Sequence, residues 1–206
     1  MAETLALIDY GAGNLHSVEN ALKAAGAAHV AVTASPDVVR TADRIVLPGV
    51  GAFGACMHAL AAIPGMVDAM EESVRVHARP FLGICVGMQL MADAGEEHGL
   101  HKGLGWIRGT VRQIEPRDPS CKIPHMGWND VIPTRPHPLI VPGEAYYVHS
   151  YAMTGVDPKM VLATTDHGGE IVAAVGRDTI VGVQFHPEKS QAYGLALLAR
   201  FLEWKP

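Results

Sequence analysis

The first half of the chain alternates short apolar runs with segments of helical periodicity. Four runs of hydrophobic and small residues predict strands, at positions 5–8, 29–33, 45–47 and 81–84. Residues 17–25 and 65–77 have the apolar spacing of helices, and Ser35 followed by Pro36 is a typical helix start. Short buried strands joined by helices favour a parallel sheet with right-handed crossovers.

The pattern changes in the second half. Short β-type runs separated by Gly, Pro and Asp turns predict an antiparallel or mixed extension of the sheet, and they lie at 106–107, 111–114, 130–132, 146–148 and 171–175. Residues 191–204 predict an amphipathic helix with Leu195, Leu198 and Leu202 near one face. No repeat or linker divides the chain. We therefore expect a single α/β domain over residues 1–206, with a central, mostly parallel sheet flanked by helices.

Composition and charge narrow the class of protein. The 206 residues are 49% hydrophobic and 18% charged, which is compatible with a packed core. A net charge of −5 argues against a nucleic-acid binder, because phosphate contacts need a basic face. Cys56, Cys85 and Cys121 are too few and too scattered for a disulfide framework, which favours a reduced, cytoplasmic chain.

The sequence predicts no membrane segment. Glu3 and Asp9 interrupt the early apolar run, so that run does not resemble a secretory signal. Residues 45–67 contain no Asp, Glu, Lys or Arg. Pro and Gly residues nevertheless break this stretch, whereas a spanning helix needs about 20 predominantly apolar residues. We predict a strand, a glycine loop and a short helix there.

The strongest chemical signal is the segment Gly83-Ile-Cys-Val-Gly87. It lies between the strand at 81–84 and a helical run at 88–92, and a Gly-x-nucleophile-x-Gly turn between strand and helix is typical of a nucleophile elbow. The helix N-terminus would favour a thiolate at Cys85, and the Val86 N–H would be one oxyanion donor. A buried structural cysteine is the alternative, but the elbow context favours a nucleophile.

A candidate base follows near the end of the chain, where an apolar strand ends in His186-Pro187-Glu188. The residue before a proline is biased to the extended region, and side chains two apart in an extended chain point the same way. Glu188 would then orient the imidazole of His186 while His186 faces Cys85, which is the logic of a catalytic triad. An exposed turn is the alternative, which the presence of the elbow disfavours.

A glycine loop, Pro48-Gly-Val-Gly51, follows the third strand. Its glycines can adopt positive φ and present main-chain N–H groups to an anion, which makes Val50 and Gly51 candidates for the second oxyanion donor. Residues 49–54 also match the Gly-x-Gly-x-x-Gly dinucleotide pattern. That match is discounted, because it follows the third strand and no strand-end carboxylate lies about 20 residues further on. We predict no cofactor.

The eleven histidines form no clear metal-binding pattern. His98 and His101 lie in a predicted loop without nearby cysteines or a His-Glu-x-x-His pattern. Five further histidines are expected to stand singly on surfaces, namely His16, His29, His58, His77 and His167. We predict no metal site.

The Gly-x-Cys-x-Gly elbow and the later His-x-Glu together resemble the class I (triad) glutamine amidotransferases. Six segments narrow the resemblance to the glutaminase subunits of imidazole glycerol phosphate synthase. In chain order they are Asp9-Tyr-Gly-Ala-Gly-Asn-Leu15, Pro48-Gly-Val-Gly-Ala-Phe53, Gly83-Ile-Cys-Val-Gly-Met-Gln89, His125-Met-Gly-Trp-Asn129, His149-Ser-Tyr151 and Gln184-Phe-His-Pro-Glu-Lys-Ser190. The elbow and His-Pro-Glu are generic to the class, whereas the first and fourth segments and Lys189 are more specific.

The resemblance implies the single-domain fold of that class and a glutaminase reaction in histidine biosynthesis. Cys85 would attack the carboxamide of glutamine, His186 would move the proton and Glu188 would orient His186. The resemblance also implies a set of glutamine-binding residues, which are Gly49, Gly51, Gln89, His149, Ser150 and Tyr151.

The resemblance further implies a partner. Asn14, Trp128 and Lys189 match positions at the contact with a cyclase subunit, a TIM barrel through which ammonia reaches a ribulosyl-type phosphate substrate. Independently, the chain leaves no phosphate loop or second domain for an ammonia acceptor, which favours a heterodimer. Two alternatives remain open, namely the glutaminase component of another synthase, such as anthranilate or pyridoxal phosphate synthase, and a non-catalytic binding module of the same fold.

Overall fold

Two β-sheets organise the computed structural model, which describes residues 3–206. The strands are β1 (Thr4–Ile8), β2 (His29–Thr33), β3 (Arg44–Leu47), β4 (Phe81–Ile84), β5 (Ala94–Gly95), β6 (His101–Lys102), β7 (Thr110–Gln113), β8 (His125–Pro133), β9 (Gly143–His149), β10 (Tyr151–Thr154), β11 (Val161–Asp166), β12 (Glu170–Arg177) and β13 (Ile180–Val183). The α-helices are α1 (Leu15–Ala24), α2 (Pro36–Thr41), α3 (Phe53–Ala61), α4 (Met66–Glu71), α5 (Val86–Gln89) and α6 (Gln191–Glu203). A π-helical segment spans Glu72–Val76, and 3-10 turns span Pro158–Met160 and Pro187–Lys189.

The main sheet has the strand order β2-β1-β3-β4-β13-β12-β11-β8-β9. The first five strands in this order pair in parallel, and the last four continue the sheet in antiparallel fashion. Every residue of β3, β4 and β13 is buried, as expected for parallel strands covered on both faces. The predicted α/β fold with a parallel core and an antiparallel extension is confirmed.

The second sheet, in the order β10-β7-β5-β6, was not predicted as a separate unit. The run predicted at 111–114 lies in β7, which pairs with β10 instead of extending the main sheet. The run predicted at 106–107 is not a strand. Trp106 and Ile107 are buried in a bend, and both of their N–H groups donate to the Met91 carbonyl oxygen at 2.9 Å. These residues are apolar because the bend is buried, and not because they pair in a β-sheet.

Two helix predictions also need correction. The helix after the elbow is α5, a single turn that ends at Gln89 instead of running over 88–92. In α6, Leu195 is 37% exposed, and the buried residues are Gly194, Leu197, Leu198 and Phe201. A Cβ at Gly194 would overlap the carbonyl oxygen of Pro187, so the helix contacts that turn through its glycine. The buried face of α6 therefore includes Gly194, and Leu195 lies outside it.

Three adjacent strands of the parallel half end at the same edge of the main sheet. Leu47 of β3 and Gly182 of β13 both lie opposite Gly83 of β4. The chain continues from these strands into the glycine loop, the Cys85 elbow and the segment that carries His186. Ligands of open α/β sheets bind at the carboxyl ends of the parallel strands. The topology therefore brings the three predicted site segments together.

In the described part of the chain, no single helix is long and apolar enough to cross a membrane. One bent pair, Phe53–Ala61 followed by Met66–Val76 at 93°, passes the same test by length and composition alone.

Candidate active site

Cys85 lies at the sharp turn between β4 and α5. Its φ of 54° and ψ of −113° place a non-glycine residue in a sparsely populated region. Flanking glycines permit the turn: a Cβ at Gly83 would lie 2.7 Å from the Gly87 carbonyl oxygen, and a Cβ at Gly87 would overlap the Leu47 carbonyl oxygen. These are the features of a nucleophile elbow.

His186 is held by Glu188, and both side chains are almost fully buried. Nδ1 of His186 lies 2.7 Å from Oε1 of Glu188. Burial opposes the charged imidazole, but hydrogen bonding to and attraction from Cys85 and Glu188 outweigh burial and raise the pKa of His186 to about 9. Because Nδ1 is bonded to the carboxylate, Nε2 is the nitrogen left for the thiol.

The path of the chain between His186 and Glu188 differs from the predicted one. His186 itself is extended, with φ −101° and ψ 100°, but Pro187–Lys189 form a 3-10 turn. Ser190 closes this turn, since its Oγ donates to the His186 carbonyl oxygen at 2.6 Å. The two side chains meet as expected, but across a turn and not along a strand.

The glycine loop lies against the elbow. The N–H of Val86 donates to the carbonyl oxygen of Gly49 at 3.3 Å. In a trans peptide the C=O and N–H point in opposite directions, so the N–H of Val50 points away from that of Val86. Gly51 has a φ of 99°, which glycine adopts without strain. Two of the three candidate oxyanion donors, Val50 and Val86, therefore do not converge in this conformation.

Buried amides connect the predicted glutamine-binding residues to the nucleophile. Nε2 of Gln89 donates to the Tyr151 carbonyl oxygen at 2.9 Å and to Oε1 of Gln184 at 3.1 Å. Nε2 of Gln184 in turn lies 3.8 Å from Sγ of Cys85. The half-buried Ser150 precedes Tyr151, and its carbonyl oxygen accepts from the N–H of Ile114 at 2.9 Å. Gln89 and Tyr151 are thus linked to Cys85 through Gln184.

His149 is bonded to Tyr151 and His125 and makes no hydrogen bond to Cys85 in this network. Its Nδ1 lies 2.9 Å from the Tyr151 carbonyl oxygen, and its Nε2 lies 2.9 Å from Nδ1 of His125. Both ring nitrogens are therefore bonded within the protein. Burial lowers the pKa of His149 to about 4 and that of His125 to about 3, so both rings are neutral at pH 7.

The prediction that His167 stands singly is wrong. Its ring stacks on that of His125, with centroids 4.2 Å apart. Asn129 bonds the same cluster, because its Nδ2 lies 3.0 Å from Nε2 of His125. Pairing of β8 with β9 places His125 directly opposite His149. Sequence spacing does not reveal this cluster, because the strand register creates it.

Two of the three predicted interface residues share one neighbour. The rings of Trp128 and Tyr146 meet edge to face at 6.2 Å, and Nζ of Lys189 lies 6.0 Å from the centroid of the Tyr146 ring. Trp128 is 47% exposed and Lys189 is also exposed. Asn14 is exposed at the start of α1, which packs on the Pro187–Lys189 turn. All three residues thus lie on the surface, near the segment that carries Glu188.

Within residues 3–206, no group of three or more His, Cys, Asp or Glu side chains is placed to hold a metal ion. His101 lies in β6 and not in a loop, and its ring packs over Gly54, where a Cβ would approach within 2.6 Å of Nε2. Cys56, Cys85 and Cys121 are all free thiols.

Sequence reasoning missed two residues at the site. Gln184 is completely buried and contacts both Gln89 and Cys85. Its position two residues before His186 was the available signal, since alternate residues of an extended chain share a face. Tyr10 is the second, because its hydroxyl donates to the Pro48 carbonyl oxygen at 2.8 Å. Nothing in the local sequence pairs residues 38 positions apart.

The arrangement is suited to acyl transfer through a covalent intermediate. A buried thiol, an imidazole bonded to a carboxylate and a loop rich in main-chain N–H groups converge at one edge of the main sheet. The thiol would attack a carbonyl carbon, and the imidazole would protonate the leaving group. Turning one loop peptide would supply the second oxyanion donor.

Comparison with known proteins identifies a family. The family model for class-I glutamine amidotransferases matches residues 6–204. The chain is 64% identical to the imidazole glycerol phosphate synthase subunit HisH of Zymomonas mobilis, over 100% of this chain and 98% of that protein. It is 54% identical to the HisH subunit of Rhodospirillum rubrum, over 98% and 99% of the two chains.

A solved structure shares the fold. The structure of PurLQS from Thermotoga maritima contains a chain that superposes with a TM-score of 0.69 at 20% identity, covering 98% of this chain and 99% of that one. At this identity the likeness concerns the fold alone.

Proposed function

The chain belongs to the class-I glutamine amidotransferases and, among them, to the HisH subunits of imidazole glycerol phosphate synthase, and we propose that Cys85, His186 and Glu188 form its glutaminase triad. The observation that carries the assignment is the buried pair at 2.7 Å between His186 and Glu188, next to a cysteine at positive φ. The match to HisH subunits replaces the alternatives of an anthranilate or pyridoxal phosphate synthase component. A non-catalytic module of this fold would have no need for the complete triad.

The reaction starts with attack of Sγ of Cys85 on the carboxamide carbon of glutamine. A protonated His186 beside the sulfur favours the thiolate and then donates its proton to the amide nitrogen, so that ammonia leaves and a thioester remains. Water, deprotonated by the now neutral His186, attacks the thioester, which releases glutamate and restores the thiolate beside the protonated His186. Glu188 keeps the ring in one tautomer and stabilises its charged form.

The negative charge of each tetrahedral intermediate requires donors. We assign the N–H groups of Val50 and Val86 to this role, with Gly51 as the residue that lets the loop turn. In the present conformation the N–H of Val86 is bonded to the carbonyl oxygen of Gly49. Rotation of the Gly49–Val50 peptide would break this bond, which frees the Val86 N–H, and would turn the Val50 N–H towards the site. This makes the isolated subunit a poor catalyst until the loop turns.

Glutamine would bind beside the elbow. We propose contacts from Gly49, Gly51, Gln89, Ser150 and Tyr151. The amide nitrogen of Gln89 is already bonded to Tyr151 and Gln184, which leaves its oxygen for the substrate. We propose that His149, predicted to bind substrate, acts instead by holding the Tyr151 carbonyl.

A HisH subunit works as part of a synthase, and we propose a TIM-barrel cyclase subunit of the HisF type as the partner in a heterodimer. The exposed Trp128 and Lys189, which both contact Tyr146, and the exposed Asn14 at the start of α1 support this surface. Ammonia would pass through the barrel to a ribulosyl-type phosphate substrate, which yields imidazole glycerol phosphate and an aminoimidazole carboxamide ribotide. We further propose one domain over residues 1–206 and a cytoplasmic location, which the three free thiols support.

The test is a Cys85→Ala variant assayed for glutamate release with a HisF-type subunit and its substrate present. Because the thioester cannot form, we expect the rate to fall by at least about 10³-fold, with circular dichroism and partner binding unchanged. Cys121→Ser is the matched control and should keep the wild-type rate. Substantial glutamate release by a pure Cys85→Ala sample would refute the assignment.

A further inference from the structure

Three consecutive carbonyl groups of the glycine loop are bonded in three different ways. The Pro48 carbonyl oxygen accepts from the hydroxyl of Tyr10 at 2.8 Å. The Gly49 oxygen accepts from the N–H of Val86 at 3.3 Å. The Val50 oxygen accepts from Sγ of Cys56 at 3.3 Å. Side chains therefore hold the peptides before and after the Gly49–Val50 peptide, whereas only a main-chain N–H holds the middle one.

The three bonds differ in strength. An O–H···O bond at 2.8 Å is at the usual distance, whereas an N–H···O bond at 3.3 Å is longer than the usual range of about 2.7–3.2 Å. The Cys56 contact is short for the large sulfur atom, although a thiol is a weak donor. The middle peptide is thus held less well than the peptide anchored by Tyr10, because its one hydrogen bond is long.

Burial makes the two side-chain anchors rigid. Tyr10 is 5% exposed and Cys56 is 2% exposed, whereas Val50 is 42% exposed at the tip of the loop. A Cβ at Gly49 would lie 2.8 Å from the Tyr10 hydroxyl, so the tyrosine lies directly against the backbone of the loop. Burial also raises the pKa of the Cys56 thiol, which keeps its donor proton at neutral pH.

We propose that Tyr10 and Cys56 are positioning residues that fix the peptides on either side of the Gly49–Val50 peptide, so that the activating rotation is confined to that one peptide. A peptide rotates about the line between its two Cα atoms, and fixed neighbours define that line. The N–H of Val50 then arrives at a single position opposite the oxyanion. This inference rests on the proposed glutaminase function and adds two buried residues that act through the loop.

Removal of either anchor, Tyr10 or Cys56, should slow the chemical step of glutamine hydrolysis. Loss of a complete oxyanion donor costs about 10²–10³ in rate, and a donor that is present but poorly aimed should cost less, about tenfold. The kcat of the partner-activated enzyme should therefore fall about tenfold in Tyr10→Phe and in Cys56→Ala. KM for glutamine and the affinity for the partner should not change, because an oxyanion donor acts on the tetrahedral intermediate and both side chains are buried away from the surface.

Two controls separate positioning from general damage. Cys56→Ser keeps a donor at the same place in α3 and should recover most of the kcat lost in Cys56→Ala. Alkylation of Cys85 by iodoacetamide forms no oxyanion, so its rate, followed by mass spectrometry of the Cys85 peptide, should be the same in wild type and in all variants.

The experiment measures glutamate release with a HisF-type subunit and its substrate at saturation, alongside the alkylation rates. A fall in kcat with unchanged alkylation supports the inference. Unchanged kcat in both Tyr10→Phe and Cys56→Ala overturns it, and so does an equal fall in hydrolysis and alkylation, which would mean that the nucleophile itself is disturbed. Failure of the wild-type protein to hydrolyse glutamine would instead refute the proposed function.

Discussion

The N–H of Val86 and the carbonyl oxygen of Gly49, 3.3 Å apart, join the nucleophile elbow to the glycine loop. In this bond, the N–H of Val86, one candidate oxyanion donor, is bonded to the Gly49–Val50 peptide. The same peptide carries the other candidate donor, the N–H of Val50. Breaking this one long hydrogen bond is therefore required before both donors can face the site. Such a bond is weak enough for binding of a partner to replace it.

We predict that glutaminase activity depends on the partner. Losing one oxyanion donor costs about 10²–10³ in rate, so the ligand-saturated complex should exceed the isolated subunit by at least that factor. The measurement compares glutamate release by the subunit alone, with a HisF-type subunit, and with that subunit plus its substrate. Equal rates in all three states would exclude a gated oxyanion site.

Gly51, the residue after Val50, offers a second test of the proposed rotation of the Gly49–Val50 peptide. Gly51 has a φ of 99°, and no heavy atom lies within 4 Å of a Cβ built there, so Gly51→Ala introduces backbone strain without a clash. We expect the activation factor to fall while the affinity for the partner stays within about threefold, since that change is under 1 kcal/mol. Titration calorimetry and steady-state rates on the same samples distinguish the two effects, and a loss of affinity alone would contradict the prediction.

Losses at the base should be graded and not additive. His186→Ala should lose nearly all activity, because the sulfur then lacks its counter-ion and ammonia lacks its proton donor. Glu188→Gln should lose less, since a hydrogen bond to Nδ1 can still orient the ring. Members of a triad act as a unit, so the double variant should be little worse than His186→Ala. Losses in kcat that multiply would show that the two side chains act independently.

Lys189 should contribute to partner binding. Its ammonium lies 6.0 Å from the centroid of the Tyr146 ring, and Trp128 contacts the same ring. Trp and Tyr are enriched in binding hot spots. We expect Lys189→Ala to weaken the affinity for a HisF-type subunit about tenfold, which is about 1.4 kcal/mol. Lys159→Ala, at an exposed lysine in the 3-10 turn before β11, is the control and should bind as wild type.

The buried histidines predict a loss of stability in acid. Burial lowers the pKa of His149 to about 4, below its unfolded value of about 6.5. The unfolded chain therefore binds more protons between these values, and the free energy of unfolding falls as the pH drops below about 6.5. The slope should approach about 1.4 kcal/mol per pH unit for each such histidine. Urea unfolding at several pH values should show a smaller slope for His149→Gln, whereas the exposed His29→Gln should match wild type.

The sequence predicted the parts of the site that depend on local chain geometry. The elbow at Cys85 and the parallel core follow from short-range patterns, because glycine spacing and apolar runs act over a few residues. The link between His186 and Glu188 was predicted correctly as a contact, but it forms through a 3-10 turn that residue spacing alone does not distinguish from a strand. The second sheet, the histidine cluster and the Tyr10 contact depend on strand register and long-range packing, which no local pattern encodes.

β13 lies in the middle of the main sheet, parallel to β4 and antiparallel to β12, although it is the last strand along residues 3–206. Without β13, β4 and β12 would each expose an unpaired apolar edge, which invites aggregation. Insertion of β13 covers both edges and is followed at once by His186 and Glu188. A chain that ends before β13 would therefore lack both the strand that covers these edges and the proposed catalytic pair.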